Sequence, residues 1–521
     1  MREYSVNLTP MLNAGIINSE RQDFATDRAQ DVFNFRTSQN GLRIREEVTM
    51  PFGASFSFPF PQFFRGHYDW LLCSETEVYL VDKNTYSLTL LATYNVNTLA
   101  PEVIQPGGRW HFVDLHNSWF LFNGSSVVWR ADYDLISDSA DLGYVYVNSD
   151  FRINTACLHK GRIVFGGFDP DLQWSPTQSM AFDEIQQGFT VFPDTKKPVL
   201  NQNFVAWTSI GDGSFLRMLL KDNFMEVGPF GENDNYNWTQ WIVEALNRGD
   251  FGFIPMPFSG AVQALVPSGD TIVAYGTNGV AVLNEAPASD LFSGGYGVTS
   301  VPHVGIYDRG AVVNVQGAHM FVGNDGALYT FDQENGVRFL DYKHLIKPHV
   351  DGFEECALGY DPQEKDIYLS FFTGSYIFTV GKGLVRSGRI LSTVERMPYG
   401  DLAVIGSSLE TTLQFVSNSF DMDSTALKTI TGINIGLNTT DAQTISVAVD
   451  YRYKRGQAYT RTPFITVNKE SNVLMRVTAL DFRVVVRGTL DVETDINYIE
   501  VRYQQADKRY RRGPSDFTAT T

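Results

Sequence analysis

Cysteine is scarce in this chain. Only Cys73, Cys157 and Cys356 occur among 521 residues, far apart and in no metal-ligand spacing. An odd, sparse count excludes a disulfide scaffold and fits folding in a reducing compartment. Long apolar runs are absent too: no window approaches the roughly 18 residues needed to read as a bilayer span. The opening Met1 to Pro10 has no apolar core of signal-peptide length. These absences predict a soluble chain made in the cytoplasm, without membrane insertion.

The signatures of common catalysts are equally missing. There is no phosphate-cradling Gly-rich loop followed by Lys, and no Gly-x-Ser-x-Gly nucleophile elbow. The eight histidines include two pairs five apart, His111/His116 and His344/His349, and neither sits in a metalloprotease pattern. Asn324-Asp325-Gly326 with Asp332 and Glu334 has the wrong spacing for a calcium loop, and hairpin turns use the same residues. No catalytic residue, cofactor or metal is therefore expected. Paired carboxylates contributed by distant parts of the chain stay open, because spacing in sequence does not reveal them.

What the chain does have is aromatic and glycine residues: 38 Phe, 24 Tyr and 44 Gly. Short aromatic or β-branched runs cut by Gly, Asn and Asp mark many short strands joined by tight turns. One pattern recurs, an apolar strand, a turn and a second apolar strand. It is seen at Trp70–Val81, Trp119–Trp129, Arg162–Phe168, Val205–Leu216, Thr271–Leu283, His319–Phe331 and Asp366–Phe378. Registered on Glu77, Gly124, Gly167, Gly213, Gly279, Gly326 and Gly374, the spacings are 47, 43, 46, 66, 47 and 48. Asn-Gly and Asp-Gly at the apices supply the positive φ that tight hairpins need. A hairpin at this period leaves room for two further strands, so each unit has the four strands of a propeller blade.

The expected fold is all-β: a β-propeller of six or seven blades over 61–410, interrupted by an insertion at about 216–258. An N-terminal arm and hairpin occupy 1–60, and a C-terminal β-sandwich-like module with a basic tail occupies 411–521. The arm holds a helix or turn around Ser19–Phe33, a hairpin at Asn40-Gly41, and an extended Phe- and Pro-rich stretch from Pro51 to Phe64. The insertion reads as a loop at 228–237 followed by one short helix, Trp238–Leu246. A regular β-sandwich is the competing architecture. No Trp is followed by Asp, so the blades are not of the WD40 type.

Charge is unevenly spread. The chain is −18 overall; from Thr411 onward 14 Lys and Arg face 12 Asp and Glu, a net +2, so the first 410 residues carry −20. Such an acidic body repels nucleic-acid phosphates. The one concentrated basic feature is Lys508, Arg509, Arg511 and Arg512, with Arg502 upstream. These five residues are the candidate contact site, for an acidic groove on a neighbouring subunit; a solvated tail and loose phosphate contact are the competing readings.

Asp31-Val-Phe-Asn-Phe-Arg36 and Gly41-Leu-Arg-Ile-Arg45 resemble the opening of tail proteins from short-tailed bacteriophages. Gly249–Val262, running into Ile272–Gly279, and Gly359-Tyr-Asp-Pro362 are similar to propeller segments of the same group. The resemblance is to the tail nozzle or hub family, tail tubular protein B-like. It implies a non-enzymatic virion protein of the viral tail, a hexameric ring around the DNA exit channel. It also implies adaptor or portal-side neighbours, attached fibre or plug proteins, and genomic DNA passing without specific binding. Assembly would take place in the host cytoplasm. The chain is shorter than the largest nozzles, which leaves fibre attachment open. A propeller-based, glycan-binding adhesin and a propeller glycoside hydrolase are the alternatives.

Overall fold

The computed structural model describes residues 3–17, 27–38, 41–43, 48–49, 58–93, 104–115, 118–130, 145–148, 152–168, 201–208, 210–211, 252–285, 296–301, 304–396, 402–406, 412–422, 426–437, 444–467, 471–489 and 495–506. Strand dominates among the described residues, in four-stranded antiparallel sheets and in others that include parallel pairs. Two compact units are present, Pro51–Phe339 and a second built from Met1–Met50 with Leu340–Thr521. Neither boundary falls at the expected 61 or 411.

The Pro51–Phe339 unit is built from sheets whose four strands follow one another in sequence. The first is Gln62–Arg65, Trp70–Cys73, Glu77–Val81 and Leu88–Thr93. The second is His111–Leu115, Ser118–Phe122, Val127–Arg130 and Val145–Asn148. The third is Ile153–His159, Arg162–Phe168, Phe204–Trp207 and Gly252–Pro255. The fourth is Val262–Ser268, Thr271–Gly276, Gly279–Glu285 and Tyr296–Val301. The fifth is Val312–Val315, Ala318–Val322, Leu328–Asp332 and Gly336–Asp341, its last strand crossing the unit boundary.

Each sheet's second strand is the most deeply buried, as in Trp70–Cys73, Ser118–Phe122 and Thr271–Gly276. A strand covered on both faces reads as a continuous apolar run, not an alternating one. That is why these segments stand out in the sequence. Glu77, Gly124, Gly279, Gly326 and Gly374 fall at or beside the turn between the second and third strands of a meander. Gly124 takes φ +83°, and a Cβ there would collide with the Arg309 guanidinium.

The other two anchors read differently in three dimensions. Gly167 is no hairpin apex: it sits inside Arg162–Phe168 at φ +74°, and the turn there is Lys160-Gly161. Glycine inside a strand marks a local irregularity as readily as a turn. The Val205 segment is not a separate repeat, because Phe204–Trp207 is the third strand of the same sheet as Arg162–Phe168. Gly213 lies outside the described residues, as do the expected loop at 228–237 and helix at Trp238–Leu246. The far end of the expected insertion is corrected, since Gly252–Pro255 pairs with Phe204–Trp207.

The second unit draws its sheets from both ends of the chain. Cys356–Asp361, Asp366–Phe371, Ser375–Thr379 and Gly383–Ser387 form one more sequential meander. It does not end there. Asp31–Phe33 adds beside Gly383–Ser387, then Leu413–Val416, Asp481–Thr489 and Thr444–Arg452, with the short strands Thr460–Arg461 and Ile465–Thr466 on the far side. We call this ten-stranded array the wide sheet. A six-stranded sheet joins Glu3–Asn7, Arg36–Ser38, Gly41–Arg43, Asp495–Gln505, Lys428–Leu437 and Asn472–Ala479. Ile430, Ile433, Ile499 and Val501 from it share one core with Val447, Val449, Val484 and Phe415 of the wide sheet. A third sheet pairs Leu391–Arg396 with Leu402–Gly406 and the short Val48–Thr49.

The arm expected over 1–60 is thus largely part of this unit. The hairpin at Asn40-Gly41 is present, with Arg36–Ser38 paired to Gly41–Arg43. The helix or turn expected over Ser19–Phe33 is not found in its described part: Ala29 bridges Ile16, and Asp31–Phe33 is a strand. Pairing on both sides, to Gly383–Ser387 and Leu413–Val416, outweighs any local helical preference. The far end of the expected extended stretch, Gln62–Phe64, belongs to the first sheet of the other unit.

Candidate functional site

In the Pro51–Phe339 unit, polar side chains link sheet to sheet. Asp69 accepts from Trp119 Nε1 at 2.8 Å and from the buried Arg130 at 2.5 Å, tying the first sheet to the second. Thr155 Oγ1 accepts from Leu265 N at 3.0 Å and lies 3.2 Å from His111 Nδ1, joining three first strands in a row. Tyr275 donates to His319 Nδ1 at 2.8 Å while His319 Nε2 donates to the Pro267 carbonyl at 2.9 Å, which fixes a neutral imidazole. Burial pushes His319 down to about 4. Burial, with the guanidinium groups of Arg309 and Arg109 nearby, pushes His111 down to about 3. Arg309 itself donates to the Asn123 carbonyl, fastening the run before the fifth sheet to a turn of the second. Every one of these groups is occupied in holding sheets together.

Among the described residues no cluster of three His, Cys, Asp or Glu is placed to hold a metal ion. A hollow of about 420 Å³ lined by Asn201, Gln202, Asn203, Ser259 and Gly260 carries no titratable side chain. The three cysteines are buried, and burial raises the Cys73 and Cys157 thiols away from the reactive thiolate.

Of the residues singled out from the sequence, Arg502 lies in Asp495–Gln505 and donates to Asn472 Oδ1 at 2.9 Å. It is half-buried between strands, as part of the six-stranded sheet. Lys508, Arg509, Arg511 and Arg512 lie outside the described residues.

A second concentration of arginine, not anticipated from the sequence, lies on one face of the wide sheet. Period-two alternation sends Ile445, Val447 and Val449 into the core and leaves Ser446, Ala448, Asp450 and Arg452 on the opposite face. Cross-strand register sets these against Arg487, Val485, Arg483 and Asp481 in turn. The segment after Arg452 returns along the outer edge of Thr444–Arg452, and its Tyr459 and Phe464 rings reach the arginines of this face. At one end Tyr459 is stacked by Arg452 (4.6 Å) and Arg483 (4.2 Å), and its hydroxyl meets Ser419 at 2.7 Å. Arg452 also donates to the fully buried Asp481 at 2.8 Å. This end is closed.

Among the described residues the other end is uncovered. Phe464 lies 5.9 Å from both the Arg461 and the Arg487 guanidinium carbons. Arg461 binds Asp450 through two hydrogen bonds of 2.7 and 2.9 Å, which raises its already high pKa. Arg487 is exposed and faces Ser446 and Gln414 across the strands, not an acid. The arrangement offers guanidinium groups beside an aromatic ring, suited to contact with carboxylates. Arg483 and Arg487 four apart in one strand was the available signal, since that spacing puts both on one face.

No protein-family model matches the chain, and no curated protein matches it. Solved structures with partial likeness include the extracellular domain of a putative hybrid two-component system from B. thetaiotaomicron, at 10% identity and TM-score 0.37 over 83% of this chain. The extracellular domain of a putative one-component system from the same organism aligns at 9% identity and TM-score 0.38 over 93% of this chain. The chain spans 47% and 64% of those two chains. A chain of the Mitotic Checkpoint Complex aligns at 10% identity and TM-score 0.34, covering 71% of this chain and 95% of that one.

Proposed function

We propose that the sequential four-stranded sheets are blades of a β-propeller, that the C-terminal strands form a β-sandwich-like module, and that the chain is a non-enzymatic structural subunit. Its role in this reading is the nozzle or hub ring of a short bacteriophage tail, around the channel through which DNA leaves. The observation that carries the frame is strand order. Each sheet takes four consecutive strands, and the first strands of the second to fifth sheets pack against one another in sequence. That is how blades succeed one another in a propeller, inner strand first.

Charge supports the role. A channel that passes DNA quickly must not hold phosphates, and six copies would carry six times the −18 of one chain. Exposed charges act over roughly a Debye length of 8–10 Å, so a lumen of moderate width feels this repulsion. Homo-oligomeric rings close by cyclic symmetry, which accords with an acidic body carrying a more basic C-terminal region. Negative-stain images of particles containing the chain test the reading. A six-fold ring around a channel is expected; a monomer that releases sugar from a polysaccharide would overturn it.

A further inference from the structure

We infer that the open end of the arginine-bearing face, Arg461, Phe464 and Arg487, is an interaction surface that takes an acidic patch on a second copy of this chain. The inference rests on the ring reading and names one surface through which the copies would meet.

Three observations carry it. The first is exposure in a built setting. Phe464 is 37% exposed and the Arg461 side chain 45%, on a sheet whose opposite face is sealed against a core. Two hydrogen bonds to Asp450 hold Arg461, and the Phe464 ring lies 5.9 Å from both guanidinium carbons, so less freedom is lost when the group is engaged. The second is unmatched charge. Arg452 and Arg461 have aspartates of their own, Asp481 and Asp450. Arg487 has Phe464 as its contact and pairs with no carboxylate among the described residues. An exposed arginine without an acid is a ready partner for one supplied from outside.

The third observation selects the occupant. The residues before Thr411 carry −20, while those from Thr411 onward carry +2. Copies of so acidic a body repel unless their contact brings opposite charges together. Arginine and aromatic residues are also what protein interfaces concentrate at their centres. The two flanking strands, Thr460–Arg461 and Ile465–Thr466, are two residues long and pair only with Thr444–Arg452 among the described strands. Edges this short discourage strand addition, so side chains and not backbone would make the contact.

The test replaces Phe464 with a photo-crosslinking benzoyl-phenylalanine in the full chain and mixes unlabelled with ¹⁵N-labelled protein before irradiation. The expected products are light–heavy pairs joining position 464 to acid-rich peptides of residues 1–410. Arg487→Glu in the same background is expected to lower their yield about ten-fold while the unfolding midpoint stays unchanged. Cross-links confined to one chain, or a yield unmoved by Arg487→Glu, would each overturn the inference. Particle images separate the two ideas. A normal six-fold ring built with the Arg487→Glu chain rejects this surface and leaves the ring standing. The absence of a ring with the wild-type chain rejects the ring, and the light–heavy products then judge the surface alone.

Discussion

The two units solve the same problem, covering strand edges, in opposite ways. In Pro51–Phe339 every sheet closes on neighbours in sequence, and buried side chains such as Asp69, Thr155 and His319 then fasten sheet to sheet. In the other unit the sheets close only when the chain ends come home: Glu3–Asn7 lies on Asp495–Gln505, and Asp31–Phe33 fills the place between Gly383–Ser387 and Leu413–Val416. Local closure has a low loop-closure cost, whereas pairing across hundreds of residues must be repaid by a large shared core. The first unit is therefore modular, and the second is an all-or-none assembly.

Deleting residues 1–45 strikes hardest at that contrast. It removes four paired strands, Glu3–Asn7, Asp31–Phe33, Arg36–Ser38 and Gly41–Arg43, and the buried Leu8, Leu12, Ile16, Val32 and Leu42. At about 1.5–3 kcal/mol for each buried side chain, the loss is comparable to the whole stability of a typical domain. Hydrogen-exchange mass spectrometry should find protection lost across 356–505 and kept in the strands between 62 and 332. Loss in both regions would show that the units are not separable.

Asp69→Ala tests the links within the modular unit. It removes the carboxylate paired with Arg130, whose side chain is 5% exposed, and should cost about 3–5 kcal/mol in chemical denaturation. Asp421→Ala breaks a pair to Arg455, 57% exposed, and should cost under about 1 kcal/mol. Equal effects would contradict the role given to buried links.

Acid should loosen the modular unit through His319. Its folded value of about 4 lies below the ordinary 6.5, so the unfolded chain takes up this proton first as pH falls. Stability present at pH 7 is lost between about pH 6.5 and 4, by roughly 3 kcal/mol from this group. His319→Gln should be less stable at pH 7 but lose less between pH 7 and 5 than the wild type. An identical slope in both proteins would remove His319 from the account.

The same contrast explains what the sequence revealed. Asn278-Gly279 and Asp325-Gly326 announce their turns because turn chemistry is local, and doubly buried second strands announce themselves as unbroken apolar runs. Gly166-Gly167 misled because an in-strand glycine at φ +74° looks like a turn in one dimension. The run between Phe168 and Phe204 hid that the strands on either side of it share a sheet. Nothing near Asp31–Phe33 states that it joins strands some 350 residues away. The arginine-bearing face was only half legible for the same reason: the spacing of Arg483 and Arg487 puts both on one face, but Arg461 and Arg487 meet at Phe464 only through cross-strand register.

The central claim is that the sequential sheets are blades arranged about one axis. A cryo-electron microscopy reconstruction of the full chain in its particle tests it most directly. The account predicts a toroid in which the strands beginning at Gln62, His111, Ile153, Val262 and Val312 line the inner rim. Two flat layers of sheets packed face to face, with those strands scattered between them, would contradict it.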